Sequence, residues 1–133
     1  MPLDSMPSPA RGRRAPDRLP LTPTMRRVLM RNAVEDIVAA AYAIERTAFR
    51  CDTKRRRNVL FPRRLAMYLL HVVAGVNLGD IGNLYGRDRR TASYSCAWIE
   101  RARDEPGLDE VIGLLEPLVA LRCRPFAPDH RAS

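Results

Sequence analysis

The chain has 133 residues, an apolar fraction of 46% and a formal net charge of +8. That length suits one domain with a modest core plus tails, and no stretch approaches the roughly 18 apolar residues a membrane-spanning helix needs. The excess of positive charge calls for a polyanionic partner such as DNA, RNA or an acidic surface. The arginine bias does not add to this: Lys54 is the only lysine, but a GC-rich genome alone can produce that.

Residues 1–21 are rich in Pro, Ser, Arg and Asp and can bury little, so they read as a disordered basic tail. The opening MPLDSMPSPARGRR lacks the apolar centre of a secretory leader. Cys51, Cys96 and Cys123 are odd in number and show no CxxC spacing, which fits reduced thiols of a soluble cytoplasmic protein and no metal site.

From residue 22 to about 121 the pattern is helical, and the expected fold is all-α. Thr22-Pro23 reads as an N-cap followed by proline at the first helical position. Val34, Ile37, Val38, Ala41 and Ile44 then recur at helical spacing, and the helix is expected to end near Thr47. The stretch CDTKRRRNVLF has four consecutive cations, Lys54, Arg55, Arg56 and Arg57, and no periodicity; it reads as a basic loop. Pro62 is expected to open a second helix, with Leu65, Leu69, Val72 and Val73 as its buried stripe and Ala74-Gly75 as its end. Asn77 can cap a short helix with Asp80 three positions on. Gly86 suits a turn with positive φ, and Asp88 can cap the next helix, where Ala92, Cys96 and Ile99 face inward. A final helix after Pro106-Gly107 carries Leu108, Val111, Ile112, Leu115 and Leu118, and Pro117 is expected to bend or shorten it. Residues 122–133 read as a frayed tail.

A short helix, a glycine turn and a longer amphipathic helix make a helix-turn-helix. The longer helix presents Arg89, Arg90, Ser93, Tyr94, Ala97 and Arg101 outward. Arg89 and Arg90 stand in its first turn, where the helix dipole disfavours cations by roughly a few tenths of a kcal/mol. Phosphates or guanines opposite them would account for that placement, since this turn enters the major groove in the motif and arginine can bond guanine in bidentate fashion.

LGDIGNLYGRDRRTASYSCAWIE, together with FPRRLAMYLL and the basic loop upstream, resembles the C-terminal DNA-binding domain of DnaA, the bacterial chromosomal replication initiator. The resemblance covers about residues 30–120. It implies a stand-alone duplex-DNA-binding domain on the nucleoid, regulating transcription or modulating replication initiation. It also implies a minor-groove arginine at Arg55 or a neighbour, a backbone-contacting arginine at Arg63, cytosine recognition by Asp88, and thymine or phosphate contact by Thr91. With Lys54, Arg56, Arg57, Arg64 and Arg87 as further backbone cations, Asp88, Arg89, Arg90, Thr91 and Tyr94 form the expected base-reading set. Gly86 stands where the family has two glycines, Gly79 replaces its proline, and Arg89, Arg90 and Tyr94 replace a histidine, a threonine and a histidine. These changes imply a different DNA sequence preference.

Asp88 serves equally well as a helix cap alone. His71 reads as a surface residue, His130 lies in the tail, Cys96 reads as core, and Trp98 as a cover for the helix junction. No GxxxxGKS/T phosphate loop is present, no cofactor is expected, and no nucleophile–base pair suggests catalysis. The alternative function is a protein-interaction adaptor of the replication or transcription machinery. RNA binding ranks last, because aromatics make up only 6% of the chain and are scattered.

Overall fold

Residues 20–50 and 57–127 of the computed structural model are described below, and among them the architecture is five α-helices with two short 3-10 turns and no strand. The tail over residues 1–19, the loop residues Cys51 and Lys54–Arg56, and His130 lie outside the described residues. The Thr22 hydroxyl accepts the Met25 amide at 3.1 Å and Pro23 takes the first helical position, opening α1 (Pro23–Tyr42). The helix closes five residues before Thr47, because Ala43 adopts a left-handed conformation (φ 55°) and its amide caps onto the Ala39 carbonyl. A 3-10 turn, Arg46–Arg50, follows and inserts Ala48 and Phe49 into the core.

The second helix, α2 (Arg57–Val72), begins before Pro62. Pro62 forfeits one backbone donor inside the helix, but burial of Val59 and Pro62 itself holds that first turn and a half in place. Leu65 to Leu70 are all buried, so the middle of α2 is covered on every side and serves as the central pillar. The expected stripe was therefore too narrow, and its last helical member, Val72, is half exposed. Gly75 (φ 80°) turns the chain toward α3 (Leu78–Leu84), where the Asn77 side chain accepts the Asp80 amide at 2.8 Å.

Helix α4 (Arg89–Ala102) packs on both α2 and α3, burying Ala92, Ser95, Cys96 and Ile99. α5 (Pro106–Cys123) packs against α1 through Ile112, Leu115, Val119 and Cys123. Pro117 does not shorten it. The proline is exposed and the residue four positions earlier is Gly113, also exposed, so water can reach the carbonyl that loses its amide partner. Val111 and Leu118, expected in the core, instead point outward. Residues 122–127, expected in the frayed tail, complete α5 and turn through Arg124–Phe126, with Cys123 buried and Phe126 packed on the core.

Polar contacts fasten the helices at a few points. Arg27 reaches Asp80 at 3.5 Å and Arg31 donates to the Leu84 carbonyl at 3.4 Å, joining α1 to both ends of α3. Arg103 just after α4 bonds Asp109 and Glu116 of α5, each at 2.6 Å, and the Tyr68 hydroxyl of α2 at 2.9 Å. Burial opposes its charge, but those three partners outweigh that and hold the guanidinium above the ordinary arginine range. Glu35 is fully buried on α1, with Arg46 at 3.6 Å and Arg31 at 4.0 Å.

Gly82 sits where α3 meets the turn. A Cβ there would lie 2.8 Å from the Arg87 carbonyl oxygen and from the Asp88 carbonyl, and none of these is a flexible side-chain end. Gly82→Ala should therefore lower unfolding free energy by about 1–3 kcal/mol in urea titrations. Gly79→Ala, whose nearest contact is an ordinary 3.6 Å, should be neutral or slightly stabilising.

Candidate nucleic-acid interface

The turn between α3 and α4 is short and fully specified. Tyr85 ends α3 and is buried, Gly86 takes φ 66°, and the Arg87 amide donates to the Gly82 carbonyl at 2.7 Å. Asp88 then caps α4, its Oδ1 accepting the Thr91 amide at 2.9 Å. That hydrogen bond, with the Thr91 side chain and the nearby Arg90 charge assisting, holds the carboxyl below its usual pKa.

Arg89 and Arg90 are the first two residues of α4, both exposed, and neither makes a hydrogen bond or salt bridge with any described residue. Thr91, Ser93, Tyr94, Ala97 and Arg101 are exposed along the same helix. The set expected on its outer face is the set observed there. Thr91 and Asp88 are engaged with each other through the cap, and both are exposed.

Helix α2 brings a further cation to this face. The Arg64 guanidinium lies 5.3 Å from the Tyr94 ring centroid and 4.8 Å from that of Trp98, held by two aromatics of α4. Trp98 in turn meets Phe61 edge-on at 5.9 Å, and Phe61 meets Tyr42 at 5.5 Å, so one aromatic row joins α1, α2 and α4 beneath the surface. Arg57 opens α2 two turns before Arg64, placing the end of the cationic run on the helix that carries it. Arg63 is half-buried and donates through Nε to the Phe49 carbonyl at 3.0 Å, bracing the 3-10 turn against α2. Arg87 is half-buried beside the glycine turn.

Sequence reasoning had no access to the Arg64–Tyr94–Trp98 stack, which joins residues about 30 positions apart. Gly82 was also passed over, although a glycine inside a seven-residue helix is itself a signal of close packing. No group of three or more His, Cys, Asp or Glu residues that could hold a metal ion occurs among the described residues. Burial raises the Cys96 and Cys123 thiols to about 11, so both stay protonated at neutral pH. No described helix is long and apolar enough to cross a membrane.

A capped short helix set by a glycine turn against a longer helix with an apolar inner face defines a helix-turn-helix protein. Residues 32–99 match the family described as bacterial dnaA protein helix-turn-helix, and the chain belongs to it. It is similar to the chromosomal replication initiator protein DnaA of Chloroflexus aurantiacus, 39% identical over 100 residues, covering 73% of this chain and 21% of that protein. The corresponding protein of Chloroflexus aggregans is 37% identical over 103 residues with the same coverage. That of Thermus thermophilus is 37% identical over 65 residues, 48% of this chain and 14% of its own length. The chain thus matches about a fifth or less of these relatives.

The Asp88 cap can be tested by titration. A carboxyl whose folded pKa is depressed stabilises the fold above its unfolded pKa, and that contribution is lost as pH falls through the folded value. Asn caps equally well but does not titrate. Asp88→Asn keeps the cap but removes its charge, so it should be slightly less stable than the parent near neutral pH, and the parent should lose that margin as pH drops through and below the usual carboxylate range. Thermal unfolding across a pH series measures the difference.

Proposed function

We propose that this chain is a sequence-specific duplex-DNA-binding domain that acts in the cytoplasm, on the nucleoid, as a regulator of transcription or a modulator of replication initiation. One observation carries the reading. Arg64, laid across Tyr94 and Trp98, makes the cationic edge of α2 and the outward face of α4 a single surface. In the proposed complex the first turn of α4 enters the major groove. Arg89 and Arg90 read base edges there, guanine being the natural partner for a bidentate guanidinium. Thr91, Tyr94 and Asp88 complete the reading set. Lys54, Arg55, Arg56 and Arg57, with Arg63, Arg64 and Arg87, hold the phosphate backbone and supply most of the affinity through counterion release.

The family likeness supports duplex DNA over other polyanions, because the related proteins are named as replication initiators. This function needs no cofactor and no catalytic group; the residues assigned here bind and orient only. Arg89, Arg90 and Tyr94 stand where the family pattern has other residues, so the preferred DNA sequence is proposed to differ from the initiator's own.

The reading is tested by titrating duplexes across salt. Affinity for random duplex should fall steeply with salt, and Arg56→Ala or Arg57→Ala should reduce the slope by about 0.9 for each phosphate no longer neutralised, on every sequence alike. Arg90→Ala should cost about 1–3 kcal/mol on the preferred site and much less elsewhere. An equal loss for Arg90→Ala on all sequences would overturn the division between loop and helix. Weak binding that ignores salt would replace DNA binding with the adaptor role.

A further inference from the structure

The outward side of α5 is the least expected surface of the molecule. Val111, Leu114, Leu118 and Leu121 are 39%, 65%, 49% and 57% exposed, while Ile112, Leu115 and Val119 of the same helix are buried against the core. The stripe continues at Leu118 into a groove that α5 forms with Ala40 and Ala41 of α1. Exposed apolar side chains repeated along one helix mark a surface that a partner covers.

We infer that the partner is a second copy of this chain, paired through α5 in antiparallel, two-fold fashion. The spacing within the stripe reads three, four, three, the same in both directions. An antiparallel copy centred at the level of Glu116 therefore sets Val111 against Leu121 of the second copy and Leu114 against Leu118, with every apolar side chain matched. That is the self-complementarity an isologous interface requires. Charge selects the same arrangement. Glu110 stands at one end of the stripe and Arg124 at the other, both exposed. They are 14 positions apart, close to four helical turns, and so lie on the same flank. Antiparallel pairing brings Glu110 of each copy to Arg124 of the other and opposes the two helix dipoles, whereas in parallel pairing the two Glu110 lie on opposite flanks and neither reaches Arg124. Such a dimer carries two copies of α4 related by a two-fold axis, and its DNA counterpart is an inverted repeat. That consequence rests on the proposed DNA reading; the pairing itself does not.

The test is sedimentation velocity on the full chain without DNA, across a wide concentration series. A concentration-dependent dimer is expected. Leu114→Glu with Leu118→Glu should leave it monomeric with an unchanged circular dichroism spectrum, since both side chains are outside the core. Glu110→Arg and Arg124→Glu should each weaken the dimer about tenfold or more through like-charge contact, and the two together should restore it. A chain that stays monomeric at every concentration overturns the inference, as does a dimer untouched by the leucine changes or a charge pair that fails to rescue. Because DNA takes no part in this measurement, its result is independent of the salt titrations.

Discussion

The approach of Gly82 to the backbone of Arg87 and Asp88 sets the angle between α3 and α4, and the candidate surface depends on that angle. With no side chain at position 82, α3 can come within 2.8 Å, measured from an ideal Cβ position, of the carbonyls that lead into α4. The Gly82 carbonyl then receives the Arg87 amide at 2.7 Å, and Gly86 supplies the positive φ that reverses the chain. Asp88 is delivered to the cap position as a result. Any added volume at position 82 pushes on main chain, so the helices would have to separate rather than repack. The position of every outward residue of α4 follows from this contact.

Asp88 also makes the two following arginines tolerable to the fold. The positive end of α4 would repel Arg89 and Arg90, but the capping carboxylate sits at the same end and its low pKa keeps it charged. The arginines stay solvated and contribute no packing. Arg64 is treated differently. Its charge lies on aromatic faces, where the attraction does not use up a carboxylate. The surface keeps its positive charge while its central cation is held in place, and both properties suit a polyanionic ligand.

What the sequence made legible is local. Thr22, Asn77 and Asp88 each bond an amide three residues on, and each was readable because the donor and acceptor are set by spacing alone. The glycine turn, the all-α class and the outward face of α4 follow from equally short-range rules. The start of α2 was misplaced because proline was given its usual meaning as a first residue, while burial of Val59 outweighs the missing amide. Between Val111 and Leu121 of α5 only Glu116 is charged, so periodicity could not tell the inner face from the outer. The Arg64 stack, the Arg103 junction and the approach to Gly82 join parts of the chain that no local pattern connects.

These contacts also explain how the fold can persist while the residues proposed to read DNA change. α4 is fixed at its start by Gly82 and the Asp88 cap, along its inner side by Ala92, Cys96 and Ile99, and at its end by Arg103 bound to Tyr68, Asp109 and Glu116. Of those anchors only Asp88 also belongs to the proposed reading set. Arg89 and Arg90 hold nothing in place, so a change of residue there alters what the surface presents without altering where it is presented. Tyr94 likewise has two roles, because it reaches outward and also supports Arg64. A change at position 94 would therefore alter both what the proposed base-reading face presents and how the Arg64 cation is seated, so the two properties are mechanically coupled there.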